Sequence, residues 1–207
     1  KKGEHRPGFD MTFSAPKSVS ILAGLGADKN LERYHDLAVE RAIAYIEKEF
    51  AQTRIVKDGK VYYVDTGNLV VAAFRQPSSR ANEPALHTHG VTMNITFYDE
   101  NKKAYSLASD MNGIEGVVEQ LQRHVTYGGL VYRTEMANLL KENRYRLKDV
   151  GQGLFEIDGM PEPVLGGFST RRKDIVHKME EEGWEGSRLA AKATLLTRNS
   201  KEEHDIE

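Results

Sequence analysis

Near the start of the chain, Phe9, Met11 and Phe13 alternate with Asp10 and Thr12. Successive side chains of a strand point to opposite faces, so this pattern predicts a strand with one buried face and Asp10 on the other. A second run of period two places Val91, Met93, Ile95 and Phe97 in step with His87 and His89. Apolar residues at Leu31, Tyr34, Ala38, Ala42, Tyr45, Ile46 and Phe50 recur at spacings of three and four, which predicts a long amphipathic helix over Asn30–Phe50 with His35 within it. Between these lie a short helix over residues 17–23, with Ser14 able to cap it and Pro16 in its first turn, and a hairpin over residues 54–64 turning at Asp58-Gly59. Residues 66–76 are almost continuously apolar, which predicts a central strand covered on both faces.

The two prolines and polar residues over 77–84 break that strand, and the shortness of this loop makes the strands on either side antiparallel neighbours, bringing Gln76 towards the histidines. A polar turn over residues 99–103 and a short extended piece over 105–107 follow. Helical spacing then runs over residues 112–142, interrupted by Gly128-Gly129. Adjacent glycines cost about 2 kcal/mol against alanines inside a helix, so close packing against the sheet or a break is expected there. Residues 144–148 and 154–157 form a small hairpin, and residues 169–182 and 187–196 read as two helices, each opened by a capping serine.

At 207 residues the chain is expected to fold as one domain, with a sheet-and-helix core over about residues 1–165 and a helical part over about 166–207. No apolar run approaches the roughly 18 residues that span a bilayer, and the basic start lacks the apolar stretch of a signal peptide, so a soluble, cytoplasmic protein without membrane insertion is expected. Cysteine is absent, which excludes disulfides and thiolate metal sites and leaves nitrogen and oxygen ligands for Mg, Mn, Ni, Co or Zn. The net charge of -2 gives no global pull towards nucleic acid, so any DNA contact rests on local clusters. The candidates are Arg75, Arg80, Lys102, Lys103, Arg171, Arg172 and Lys173, together with Lys17 at a strand-to-helix junction that has the makings of an anion cradle.

His87 and His89 would share one face of a strand, roughly 7 Å apart along the chain. Three readings fit the pair: a metal site completed from a neighbouring strand, direct acid-base use of one imidazole, or two packed histidines with backbone partners.

Residues 6–20 (Arg-Pro-Gly-Phe-Asp-Met-Thr-Phe-Ser-Ala-Pro-Lys-Ser-Val-Ser), then Thr66-Gly67-Asn68-Leu69-Val70, then Ser79-Arg80, then Glu83-Pro84-Ala85-Leu86-His87-Thr88-His89 occur in the order and spacing of the motifs of MobF-class conjugative relaxases, the TrwC- and TraI-like group. Weaker similarity continues through residues 197–201. The chain thus resembles a relaxase of the HUH endonuclease superfamily. That resemblance implies an α+β fold, with an antiparallel sheet of about five strands flanked by helices. It also implies site- and strand-specific nicking of single-stranded or hairpin DNA at a transfer origin, in the bacterial cytoplasm, alongside other relaxosome proteins and a fused helicase. In such enzymes a tyrosine attacks the scissile phosphate, stays bonded to the 5′ end and frees a 3′ hydroxyl.

Asp10 matches the family aspartate beside that nucleophile, and it can also orient a metal-binding histidine. His87 and His89 match two of the family's metal ligands. Where the family has a third histidine this chain has Gln76, whose amide oxygen can still ligate a divalent cation and tilts the preference towards Mg or Mn. The family's tyrosines precede the Gly-Phe-Asp strand, and these residues are expected to lack that segment; Tyr62-Tyr63 falls at a different family position. The alternative implied is a cleavage-deficient relaxase-like domain that only binds DNA.

Overall fold

A computed structural model describes residues 7–98, 103–109, 116–117, 119–120 and 125–197. Strands β1 (Gly8–Ser14), β4 (Val71–Ser78) and β5 (Pro84–Met93) form a central antiparallel sheet in the order β1-β5-β4. Around it lie helices α1 (Lys17–Gly24), α2 (Asn30–Phe50) and α3 (Val125–Glu142) and three hairpins: β2 (Gln52–Lys57) with β3 (Lys60–Asp65), β6 (Thr96–Tyr98) with β7 (Lys103–Tyr105), and β8 (Leu147–Gly151) with β9 (Leu154–Ile157). Helices α4 (Glu162–Gly167), α5 (Thr170–Glu181) and α6 (Ser187–Leu196) complete the described chain. The fold is α+β, as expected. Against the roughly five strands anticipated, the central sheet pairs three among the described residues, and the β2–β3 hairpin joins the segment after β7 through a single Thr53–Leu107 bridge.

Alternation sets the two faces of the sheet. Phe13 and Leu86 point to one side and are buried with Leu31, Ala38 and Ala42 of α2 and Met136 and Leu140 of α3. Asp10, Thr12 and Ser14 point to the other side and are exposed. Strand β5 is the central one. Strand β4, expected to be central from its apolar run, is an edge strand exposed from Ala73 onwards, with Phe74 56% accessible. Continuous apolarity does not distinguish a strand covered on both faces from one whose small Ala72 and Ala73 tolerate an edge. Pro77, which has no N–H to give, sits at the register shift between Gln76 and Ser78, a position suited to an edge strand.

Gly128-Gly129 does not break α3. A Cβ on Gly128 would lie 3.1 Å from Ile46 Cδ1, so the glycine allows α3 to approach α2, and the close packing is against a helix rather than the sheet. Ser169 does not cap α5 with its side chain, and α6 has no side-chain cap. Ser169 Oγ donates to the Leu165 carbonyl, and it is the Glu83 carboxylate that accepts from Thr170 N and Oγ1; the residue before α6 is Gly186.

The Ser-Ala-Pro-Lys junction is also filled from a distance. One oxygen of Glu156, on β9, accepts from Ser18 N at 2.7 Å and from Ser18 Oγ, and the other accepts from Lys17 N at 3.3 Å. The first turn of α1 is therefore capped by a carboxylate of the protein itself, and the anion cradle foreseen there is occupied by Glu156. Glu156→Ala is expected to lower stability by about 2 kcal/mol, the scale of a lost cap plus an unpaired hydroxyl. Urea denaturation measures it, and an unchanged midpoint would show that this cap carries no weight. No described helix is long and apolar enough to cross a membrane.

Candidate metal centre and nucleic-acid cleft

The register of the central sheet assembles the site. Opposite His87 stand Ser14 on β1 and Gln76 on β4; opposite His89 stand Thr12 and Phe74. Directly paired residues share a face, so both imidazoles and the Gln76 amide line the side away from the helices. Asp10 stands on that same face, paired with Val91. The histidine rings are 5.2 Å apart between centroids, at 73° to one another.

Hydrogen bonds fix which ring nitrogen each histidine presents. His87 Nδ1 lies 2.6 Å from the Ala85 carbonyl, which can only accept, so Nδ1 carries the proton. His89 Nδ1 lies 2.7 Å from Asp10 Oδ2 and 3.3 Å from Thr12 Oγ1. The carboxylate accepts, so this ring too is protonated at Nδ1. In its neutral form each ring therefore presents the Nε2 lone pair, the tautomer a metal-binding imidazole needs, with a carbonyl or carboxylate holding the other nitrogen. Among the described residues no three His, Asp or Glu side chains converge on one point, and the third position beside the rings is the Gln76 amide. Two imidazole nitrogens and an amide oxygen fit a divalent cation with the remaining positions open to water or a phosphate oxygen.

These residues line an open cleft of about 790 Å³ whose wall also carries Ser79, Arg80, Asn82 and Arg171. Arg80 comes from the β4–β5 loop and Arg171 from the first turn of α5, and the Glu83–Thr170 hydrogen bonds join the two elements. Arg171, one of the candidate DNA contacts, thereby lines the same cleft as the histidines; its helix follows the sheet by many residues, and no local pattern pointed to that cleft.

The other predicted contacts fall elsewhere. Arg75 pairs with Thr88, on the opposite face of the sheet from the histidines, and its guanidinium bridges Glu32 at 2.9 Å and Asp36 on α2. It is tied to the helix layer and takes no part in the cleft. Lys17 donates its ammonium to the Pro84 carbonyl at 3.0 Å beside His87, and burial lowers its pKa against the pull of Glu83 and Glu156. Lys103 lies on β7 with its ammonium 5.4 Å from the centre of the Tyr105 ring, and Lys102 lies outside the described residues. Tyr62 and Tyr63 are on β3, and no tyrosine lines the cleft among the described residues.

Comparison with known proteins identifies the family and the fold. The family model for TrwC relaxases matches residues 1–207. The chain is 40% identical over 204 residues to the multifunctional conjugation protein TraI of Escherichia coli strain K12, covering 98% of this chain and 11% of that protein. It superposes with a TM-score of 0.84 and 30% identity on TrwC complexed with a 27-mer DNA comprising the recognition hairpin and the cleavage site, covering 99% of this chain and 72% of that one. It superposes with a TM-score of 0.85 and 30% identity on a metal-bound structure of the conjugative relaxase TrwC in complex with oriT DNA, covering 99% of this chain and 69% of that one. With its whole length matched by the family model, this chain belongs to the TrwC relaxase family.

Proposed function

We propose that this chain is the DNA-nicking domain of a conjugative relaxase, binding single-stranded and hairpin DNA of a transfer origin and cleaving one strand by transesterification. The observation that carries the reading is the pair of Nδ1-protonated histidines, His87 and His89, presented with Gln76 in a cleft flanked by Arg80 and Arg171. His87, His89 and Gln76 would hold a divalent cation, Mg or Mn given the amide ligand, which would supply charge for the phosphate oxygens and orient the phosphodiester. Arg80 and Arg171 attract the DNA backbone, and the open cleft follows a single strand.

In the cleavage step a tyrosine oxygen forms a bond to phosphorus as the bond to the 3′ oxygen breaks, and the leaving 3′ oxygen takes up a proton from water to become a hydroxyl. The tyrosine proton has to be accepted, and Asp10, exposed on the site face and bonded to His89, stands where it can accept it or hold His89 in place. On this reading the domain works in the bacterial cytoplasm, within a relaxosome, on a polypeptide that also carries a helicase.

The experiment is to incubate the full-length protein with a transfer-origin oligonucleotide and Mg or Mn and to look for a DNA–protein band that survives denaturant. A covalent adduct is expected, together with a free 3′ hydroxyl on the released fragment. Binding of the oligonucleotide without an adduct would mark a DNA-binding domain that does not cleave.

A further inference from the structure

Behind the histidine strand, on the helix side of the sheet, lies a polar chain that the cleavage step does not use. Thr88 sits between His87 and His89 in β5, and its side chain points the opposite way. Its Oγ1 lies 2.8 Å from His35 Nε2, while His35 Nδ1 lies 2.6 Å from the Tyr132 hydroxyl. Thr88, His35 and Tyr132 are 3%, 0% and 1% exposed, and the histidine and tyrosine rings also meet edge to face at 5.4 Å. The chain joins β5 to α2 and α3 at the one residue that separates the two candidate ligands.

Burying an imidazole costs free energy even when both nitrogens are partnered, and apolar side chains of similar volume would fill the space without that cost. What a hydrogen-bonded trio adds is direction. Apolar packing allows a strand to slide or tilt by fractions of an ångström, whereas bonds of 2.6 and 2.8 Å fix it in height and along its length. A displacement of Thr88 moves His87 and His89 together on the other face, because all three share one stretch of backbone.

We propose that His35 is a positioning residue for the metal centre, acting with Tyr132 through Thr88 to hold the His87 and His89 rings at the separation a metal ion requires. This rests on the reading of His87 and His89 as metal ligands, and the test separates the two. Mn²⁺ affinity is measured by titration calorimetry on the full-length protein, well below its melting temperature, for the wild type and for Thr88→Val, Thr88→Ser and His35→Asn. Thr88→Val keeps the shape and removes the hydroxyl, so it is informative even where His35→Asn fails to fold.

The expected result is Mn²⁺ binding weakened about tenfold in Thr88→Val with a cooperative melt retained, as for loss of other groups that support metal ligands. Thr88→Ser, which restores the hydroxyl, restores the affinity. Wild-type affinity in Thr88→Val, whatever its melting temperature, would overturn the proposal and leave the trio a stabilising contact. A wild type that binds no Mn²⁺ would overturn this proposal and the metal-site reading together.

Discussion

His87→Ala and His89→Ala are each expected to abolish divalent-cation binding in titration calorimetry, and with it covalent adduct formation on origin DNA. The two rings present their Nε2 nitrogens from one face because carbonyl and carboxylate acceptors hold the Nδ1 protons, so removal of either leaves one imidazole and one amide. Two neutral ligands compete poorly with water for a hard cation. Gln76→Ala is expected to weaken binding without abolishing it, since the amide contributes one oxygen that water can replace. Asp10→Ala leaves both imidazoles but removes the acceptor that fixes His89, and a loss of about 10- to 100-fold in metal affinity is expected. Unaltered binding in both histidine variants would remove the metal centre from this face of the sheet.

The second large effect is on stability below neutral pH. Burial between α2, α3 and β5 lowers the pKa of His35 to about 4, with the positive charge of Arg75 and the nearby His87 pushing the same way. An unfolded histidine takes up its proton near 6.5, so in the range between these values the proton favours the unfolded chain. Stability from this group is complete above about pH 6.5 and declines as the pH falls towards 4, by about 3 kcal/mol in all. Urea denaturation at pH 7 and pH 4.5 should show most of that loss in the wild type. It should be absent in a folded His35→Asn variant, and an equal loss there would assign the acid sensitivity to other groups.

The histidine face was legible because β5 is central and half-buried, so His87 and His89 share the more open face with Val91 while Leu86 and Thr88 turn to the buried one. The approach of Gln76 followed from a short loop, and the register pairs it with His87. What stayed hidden depends on distant partners. Arg75 has its charge neutralised by Glu32 and Asp36, and only the position of α2 reveals this. Glu156 reaches the start of α1 across 138 residues of sequence, and His35 finds Thr88 across 53; neither partner could be chosen from local spacing. The resemblance to relaxases supplied the role proposed for Asp10, whereas periodicity placed it only on the face of a strand away from the core.

The β1–β5 pairing that joins Asp10 to His89 also sets an order of events during synthesis. The two residues are 79 apart in sequence, and the α2 helix and the β2–β3 hairpin are made between them. At about 5–20 residues per second, β1 waits roughly 4–16 s on the ribosome before its partner strand is translated. Contacts of such long sequence separation close slowly, after local helices and hairpins. A nascent chain thus carries the aspartate without the histidines, and the candidate metal centre comes into being only when the sheet is closed.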